Sequence, residues 1–287
     1  MFKYYRVVRQ LWISVFNTTF ALFLNVALLP YRLFFLKSYK GSGVIHILGT
    51  GPSLKKDMQR FTECRLDTDS VLCVNHFAST DDYERIRPNT YLLADNAFFA
   101  STASAQVNEK CAKLIDSLVA KTQWKMNLIV PITKLKSPVI AKLESNRNIT
   151  IYGLNNIPVT GGFIKYNAYL YYLRVATPLY QNVLNASVYM AVKAGFNRVN
   201  IWGADHNWLE DITVLSDNKA YTHDKHFYSD GSEKFAPMNI PNVHGFIECI
   251  LRCLRAYHEI QIYAKLKHVA VINRSSTSWI DAFERDL

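Results

Sequence analysis

The sequence predicts an α/β fold. The expected body is a Rossmann-like, mostly parallel sheet with helices on both faces and a lid insertion, preceded by an N-terminal membrane-associated helix. Three observations predict it. Short apolar runs of strand length alternate with helical patterns through the body, the signature of a parallel sheet. A glycine turn, Gly49-Thr50-Gly51-Pro52-Ser53, directly follows the first of these runs. An apolar stretch over residues 11–29 lies ahead of them all.

Taken in order, the N-terminal stretch comes first. Its length approaches the roughly 20 residues that span a bilayer, yet Asn17, Thr18, Thr19 and Asn25 interrupt it. The first 40 residues carry Lys3, Arg6, Arg9, Arg32, Lys37 and Lys40 and no acid, within a chain of net charge +10. Basic residues flanking an apolar run suit an anionic membrane surface, whereas a nucleic-acid binder would carry its basic stripe on the folded domain. An in-plane helix with its cations at the headgroups is the leading expectation. A true span and a buried or homo-oligomer-forming helix are the alternatives. A secretory signal is disfavoured because no small-x-small cleavage site precedes the first strand. The expected division is a membrane-associated segment over residues 1–40 and a catalytic domain over 41–287.

In the body, strands are expected at 44–48, 71–74, 91–94, 128–130, 149–152, 199–202 and 269–272. Helices are expected at 53–61, 103–121, 137–144, 187–194 and 244–265, with the tyrosine-rich stretch 166–180 helical in part. Residues 207–240 are polar and aperiodic, which predicts a long irregular lid. The five cysteines include no CxxC pair. They imply no disulfide framework, and a reducing compartment fits. Cys249 and Cys253, one helical turn apart, read as packed thiols.

Chemistry concentrates at two strand ends. The glycines permit a tight turn and close approach of backbone to ligand, and Pro52 suits the first turn of a helix. Ser53 would add a hydroxyl to the free N–H groups there, making an anion site at a helix N-terminus. A Walker loop is excluded because no Gly-Lys-Ser/Thr follows. A dinucleotide fingerprint would want a third glycine and an acid after the second strand, where Asn75 stands instead. The alternative is a plain strand-to-helix turn without a ligand. Further on, Asn185-Ala186-Ser187 is expected to open a helix facing the same crevice, and Asp205 ends the next strand. Asp205 would bind a ribose hydroxyl, cap a helix or hold a loop. Of eight histidines, His46 reads as structural, while His244 and His226 are the candidate general bases. His244 alternatively caps the long helix. His223 and His226 lack a clear third partner for a metal site.

At these islands the chain resembles bacterial sialyltransferases of the family typified by the Campylobacter lipooligosaccharide enzymes. The likeness rests on Gly49-Thr-Gly-Pro-Ser-Leu54, Cys73-Val-Asn-His-Phe77, Ile201-Trp-Gly-Ala-Asp205 and the closing stretch from Ile272 to Phe283. The glycine turn and the strand end at Asp205 are shared with a wider group that includes archaeal pterin pyrophosphokinase-like proteins. The resemblance implies a CMP-linked sugar donor lying over the glycine turn, no metal, and a lid-side histidine as base. It would place Gly49, Thr50, Gly51 and Ser53 at the donor phosphate, and Asn75, Asn185 and Ser187 at nucleotide or sugar. His206-Asn207-Trp208 stands where the family has an aromatic pair, and Asn185-Ala186-Ser187 where it has Thr-Ser-Gly. The implied function is a glycosyltransferase extending a bacterial cell-surface polysaccharide or lipooligosaccharide from the cytoplasmic face of the inner membrane, peripheral or single-pass. Its partners would be a nucleotide-sugar donor, a glycan or glycolipid acceptor and the membrane surface, with no nucleic acid. The rivals are a Mg-dependent pyrophosphokinase using Asp81, Asp82 and Asp205, and a non-catalytic membrane-associated scaffold.

Overall fold

The structure is a computed structural model that describes residues 2–27, 39–99, 105–223, 235–237 and 242–286. A central sheet of eight strands runs β13-β12-β8-β1-β2-β3-β4-β5, with every pairing parallel. Its strands are β1 (Val44–Leu48), β2 (Ser70–Val74), β3 (Thr90–Leu92), β4 (Met126–Pro131), β5 (Ile149–Leu154), β8 (Arg198–Trp202), β12 (Ala270–Asn273) and β13 (Glu284–Arg285). Two two-residue strands, β6 (Pro158–Val159) and β7 (Thr177–Pro178), pair separately. The fold is the expected mostly parallel α/β architecture, consistent with a Rossmann-like fold.

These strands read as unbroken apolar runs because both faces of the sheet are covered. Alternate residues serve different cores. Val71 and Cys73 point to one side with α2 (Ser53–Cys64), α4 (Ala105–Lys121) and α5 (Pro138–Glu144). Leu72 and Val74 point to the other, toward α6 (Ile164–Tyr172), α7 (Val183–Ala194) and α8 (Val243–Leu266). The short helix α3 (Asp82–Ile86) precedes β3.

Several sequence expectations need correction. Helix α7 starts at Val183, capped by the Asn182 side chain, which accepts the Asn185 N–H at 2.8 Å. Asn185-Ala186-Ser187 therefore lies inside the helix. Likewise Asn242, not His244, caps α8 by accepting the Gly245 N–H. The lid region is not wholly irregular. Strands β9 (Ile212–Val214), β10 (Ala220–His223) and β11 (Phe235–Pro237) form a small antiparallel sheet. Asn218 turns the first hairpin with φ 58°, a conformation Asn tolerates better than most residues.

Helix α1 (Phe2–Ala27) is 26 residues long. By length and composition it can cross a membrane, with mean hydropathy 1.3 over its best window. It also packs against the body, and in an unusual sense. The residues facing inward include Ser14, Asn17, Thr18, Ala21 and Asn25. Ser14 Oγ accepts the Phe163 N–H at 3.1 Å, and Asn17 Nδ2 donates to the Thr160 carbonyl at 2.9 Å. Thr18 Oγ1 meets the Tyr166 hydroxyl at 2.7 Å, and Asn25 Nδ2 donates to the Val175 carbonyl. Ile13 and Leu24 are half-buried beside them, while the aromatic side chains point outward, with Trp12 70% and Phe23 68% exposed.

The receiving loop is itself anchored from within. Arg255 donates to the Gly162 carbonyl at 2.8 Å and to buried Glu259 at 3.0 Å. Asn167 donates to the Gly161 carbonyl and to Glu259, and the Tyr171 hydroxyl donates to the other Glu259 oxygen. A buried carboxylate with three donors is well compensated.

Candidate functional site

The glycine turn runs along the end of β8. The Gly49 N–H donates to the Trp202 carbonyl at 2.8 Å and the Gly51 N–H to the Gly203 carbonyl at 2.9 Å. A Cβ on Gly49 would sit 2.4 Å from the Gly203 oxygen, and one on Gly51 would sit 2.0 Å from Asp205 Oδ2. Both glycines are thus explained by the close crossing of two strand ends.

The sequence reading expected free N–H groups and a ligand-facing Ser53 hydroxyl at the start of α2. Both are engaged within the chain. Ser53 Oγ donates to Asp205 Oδ2 at 2.9 Å, and the Ser53 N–H points at both Asp205 oxygens at 3.3 Å. The Leu54 and Lys55 N–H groups close back on the carbonyls of Gly51 and Pro52. Asp205 therefore occupies the seat that the helix dipole offers to an anion. Burial pushes its carboxyl up from the usual range, opposed by the hydrogen bonds from Ser53.

Beside this turn, at the carboxyl ends of the strands around β1 and β8, opens a cleft of about 850 Å³. The chain leaves β1 toward β2 on one side and returns to β8 on the other, so the cleft lies at a topological switch point, where open α/β sheets bind ligands. Of the sequence-selected residues, Thr50, Gly51, Asn75 and Asp205 line it. Gly49 and Ser53 support its floor from below. Asn185 and Ser187 lie in the core, fully buried. Asn185 Nδ2 donates to the Cys253 carbonyl and Ser187 Oγ to the Val183 carbonyl.

Asn75 follows β2 with φ 49°, and the Tyr91 hydroxyl pins its carbonyl at 2.6 Å. The side-chain oxygens of Asn75 and of Asn156, another lining residue, are buried and have no hydrogen-bond partner among the described residues. Buried acceptors left open in this way are costly without a donor. Thr50 also lines the cleft and makes no hydrogen bond among the described residues. Leu92, Ile129 and Leu154 supply an apolar wall.

On the far side stands a cluster around His206. Its Nε2 lies 2.8 Å from Asn182 Nδ2 and 2.9 Å from the Tyr257 hydroxyl, and its ring packs on Trp208 with centroids 4.3 Å apart. Because Asn182 Oδ1 already accepts the Asn185 N–H, its Nδ2 donates, and the imidazole Nε2 accepts. Burial holds His206 neutral, lowering its pKa from 6.5 to about 3. Cys253 is buried beside it, its thiol pushed up to about 12, while Cys249 lines the cleft.

His244 is exposed on the first turn of α8. It does not line the cleft, although Phe246 and Cys249 farther along the helix do. His226 lies outside the described residues. His46 is bonded on both ring nitrogens, accepting from Trp202 Nε1 at 3.1 Å and meeting Asp69 at 3.2 Å, a structural arrangement. Asp81 and Asp82 are off the cleft, with Asp82 paired to Arg85 at 2.6 Å. Sequence reasoning missed Asn182, Asn156 and Asp95 as lining residues. The N-cap preference for Asn would have found Asn182; nothing in the local sequence marks the other two.

No protein-family profile and no curated protein matches the chain.

Proposed function

We propose that the protein is a glycosyltransferase that moves a sugar from a nucleotide donor, CMP-linked on the motif resemblance, to a glycan or glycolipid acceptor at a membrane. The observation that carries this reading is the pair of open amide oxygens, Asn75 and Asn156, in a cleft at the switch point of the sheet. A nucleoside sugar supplies the hydroxyl and amino donors they lack, and the apolar wall suits its base or ring faces.

In this reading Thr50 meets the donor phosphate, while Asp205 and Ser53 fix the turn that presents it. The acceptor hydroxyl attacks the anomeric carbon, the bond from that carbon to the phosphate oxygen breaks, and the nucleotide leaves with the electron pair. His244 takes the acceptor proton, with His226 as the second candidate. Replacing His244 by alanine is expected to lower transfer by about 100-fold or more, with nucleotide affinity unchanged. Wild-type turnover in that variant removes His244 from the mechanism. Peripheral or single-pass attachment at the cytoplasmic face of the inner membrane would keep the cleft near a lipid-linked acceptor.

Thermal shift of the intact chain against CMP, CDP, UDP, GDP, ADP and ATP, with and without Mg²⁺, tests the reading. A ligand at 100 times its dissociation constant adds about 2.7 kcal/mol, which a melting curve resolves. Stabilisation by a sugar-donor nucleotide is the expected result. A specific observation keeps one rival: Asp95 and Asp205 both line the cleft, as Mg-dependent pyrophosphoryl transfer requires. Stabilisation only by ATP with Mg²⁺ would favour that chemistry. No shift with any nucleotide would favour the scaffold.

A further inference from the structure

We propose that α1 lies in the plane of an anionic bilayer instead of crossing it, and that the tyrosine face of α6 forms the other half of the same docking surface. This deepens only the membrane part of the proposed function, and lipid readouts succeed or fail independently of nucleotide.

Helix α1 has an inverted polarity. Ser14, Asn17, Thr18 and Asn25 are engaged by the body, and Trp12, Phe16, Phe20 and Phe23 are left outward. The anchoring contacts run from Ser14 to Asn25, about 16 Å of helix axis at 1.5 Å per residue. A bilayer-crossing α1 would drag the docked β6–α6 loop into the hydrocarbon, where irregular backbone exposed to lipid is not tolerated. Laid flat, α1 buries only its outer face.

Helix α6 continues the surface. Tyr166 touches α1 through Thr18, and Tyr169 and Tyr172 stack next to it with centroids 6.2 Å apart. All three are exposed, and aromatic residues of this kind concentrate at headgroup depth. Lys267 sits over the Tyr172 ring at 5.7 Å, and Lys165 is exposed on the same helix. From Ser145 to Ala204 the chain contains no Asp or Glu, and its first 40 residues contain none either. This charge pattern is complementary to anionic headgroups.

Flotation of the full chain with phosphatidylcholine vesicles, with and without phosphatidylglycerol, tests the surface. Binding is expected to require phosphatidylglycerol and to weaken with salt. The double variant Tyr169→Ser/Tyr172→Ser is expected to bind about tenfold more weakly with its melting temperature unchanged. Wild-type affinity in that variant would remove α6 from the surface. Depth is read in the wild-type chain from quenching of Trp12 by brominated lipids, isolated by comparison with Trp12→Phe. Stronger quenching by bromine near the headgroups is expected, whereas strongest quenching at the bilayer centre would establish a span and overturn the proposal. Failure to bind vesicles would also overturn it, and a stable soluble dimer found alongside would assign the apolar face to a second copy.

Discussion

Gly203→Ala is expected to destabilise the protein by about 3 kcal/mol, the sum of a left-handed backbone and an overpacked contact. Gly203 has φ 63°, and a Cβ there would lie 2.7 Å from the Leu54 Cβ. Neither partner can swing aside, since the contact joins the end of β8 to the first turn of α2. The Gly203 carbonyl also receives the Gly51 N–H, so a shift of this strand end propagates into the floor of the cleft. Gly43 provides the control. Its φ is 71° but a Cβ would meet nothing within 4 Å, so Gly43→Ala should cost only about 1 kcal/mol, the backbone part alone. Urea midpoints of the two variants distinguish the contributions, and equal losses would refute the overlap argument.

The second large effect is a pH dependence carried by His206. Its pKa is near 3 in the folded protein against 6.5 for the free side chain. The unfolded chain therefore binds this proton more readily, and stability is lost as pH falls from about 6.5 toward 3. Each unit within that window costs about 1.4 kcal/mol, so roughly 3 kcal/mol is lost by pH 4. The groups around the ring, Asn182, Tyr257, Trp208 and Cys253, stay uncharged through the window, since burial raises both the Tyr257 hydroxyl and the Cys253 thiol. His206→Asn suits the positive φ of 56° and removes the titration. The stability gap between wild type and variant should shrink steadily below pH 6, measured by chemical denaturation. Parallel curves would show that His206 does not carry the effect.

Much of the fold was legible because parallel strands buried on both faces must be apolar along their whole length. The runs beginning at Val44, Val71 and Val199 show this, each becoming a sheet strand within a residue of its expected place. Helix starts were less legible. Asn182 and Asn242 cap from upstream of the residues that looked like openings, because an N-cap sits before the periodic pattern begins. In the candidate site the glycine turn was visible but its reason was not. Asp205 reaches Ser53 across 152 positions, a distance no local motif encodes. Asn17, Thr18 and Asn25 read in sequence as defects in a membrane span. The fold uses them as hydrogen-bonding contacts to the body.

Those same contacts set a timetable for biogenesis. Asn17 meets Thr160, 143 positions later, and Asn25 meets Val175, 150 positions later. At ribosomal speeds of about 5–20 residues per second, the helix emerges roughly 7–30 s before its cradle exists. During that interval its asparagines have no acceptors from the body. Until the chain passes Thr160 and Val175, Asn17 and Asn25 find partners beyond their own helix only outside the protein.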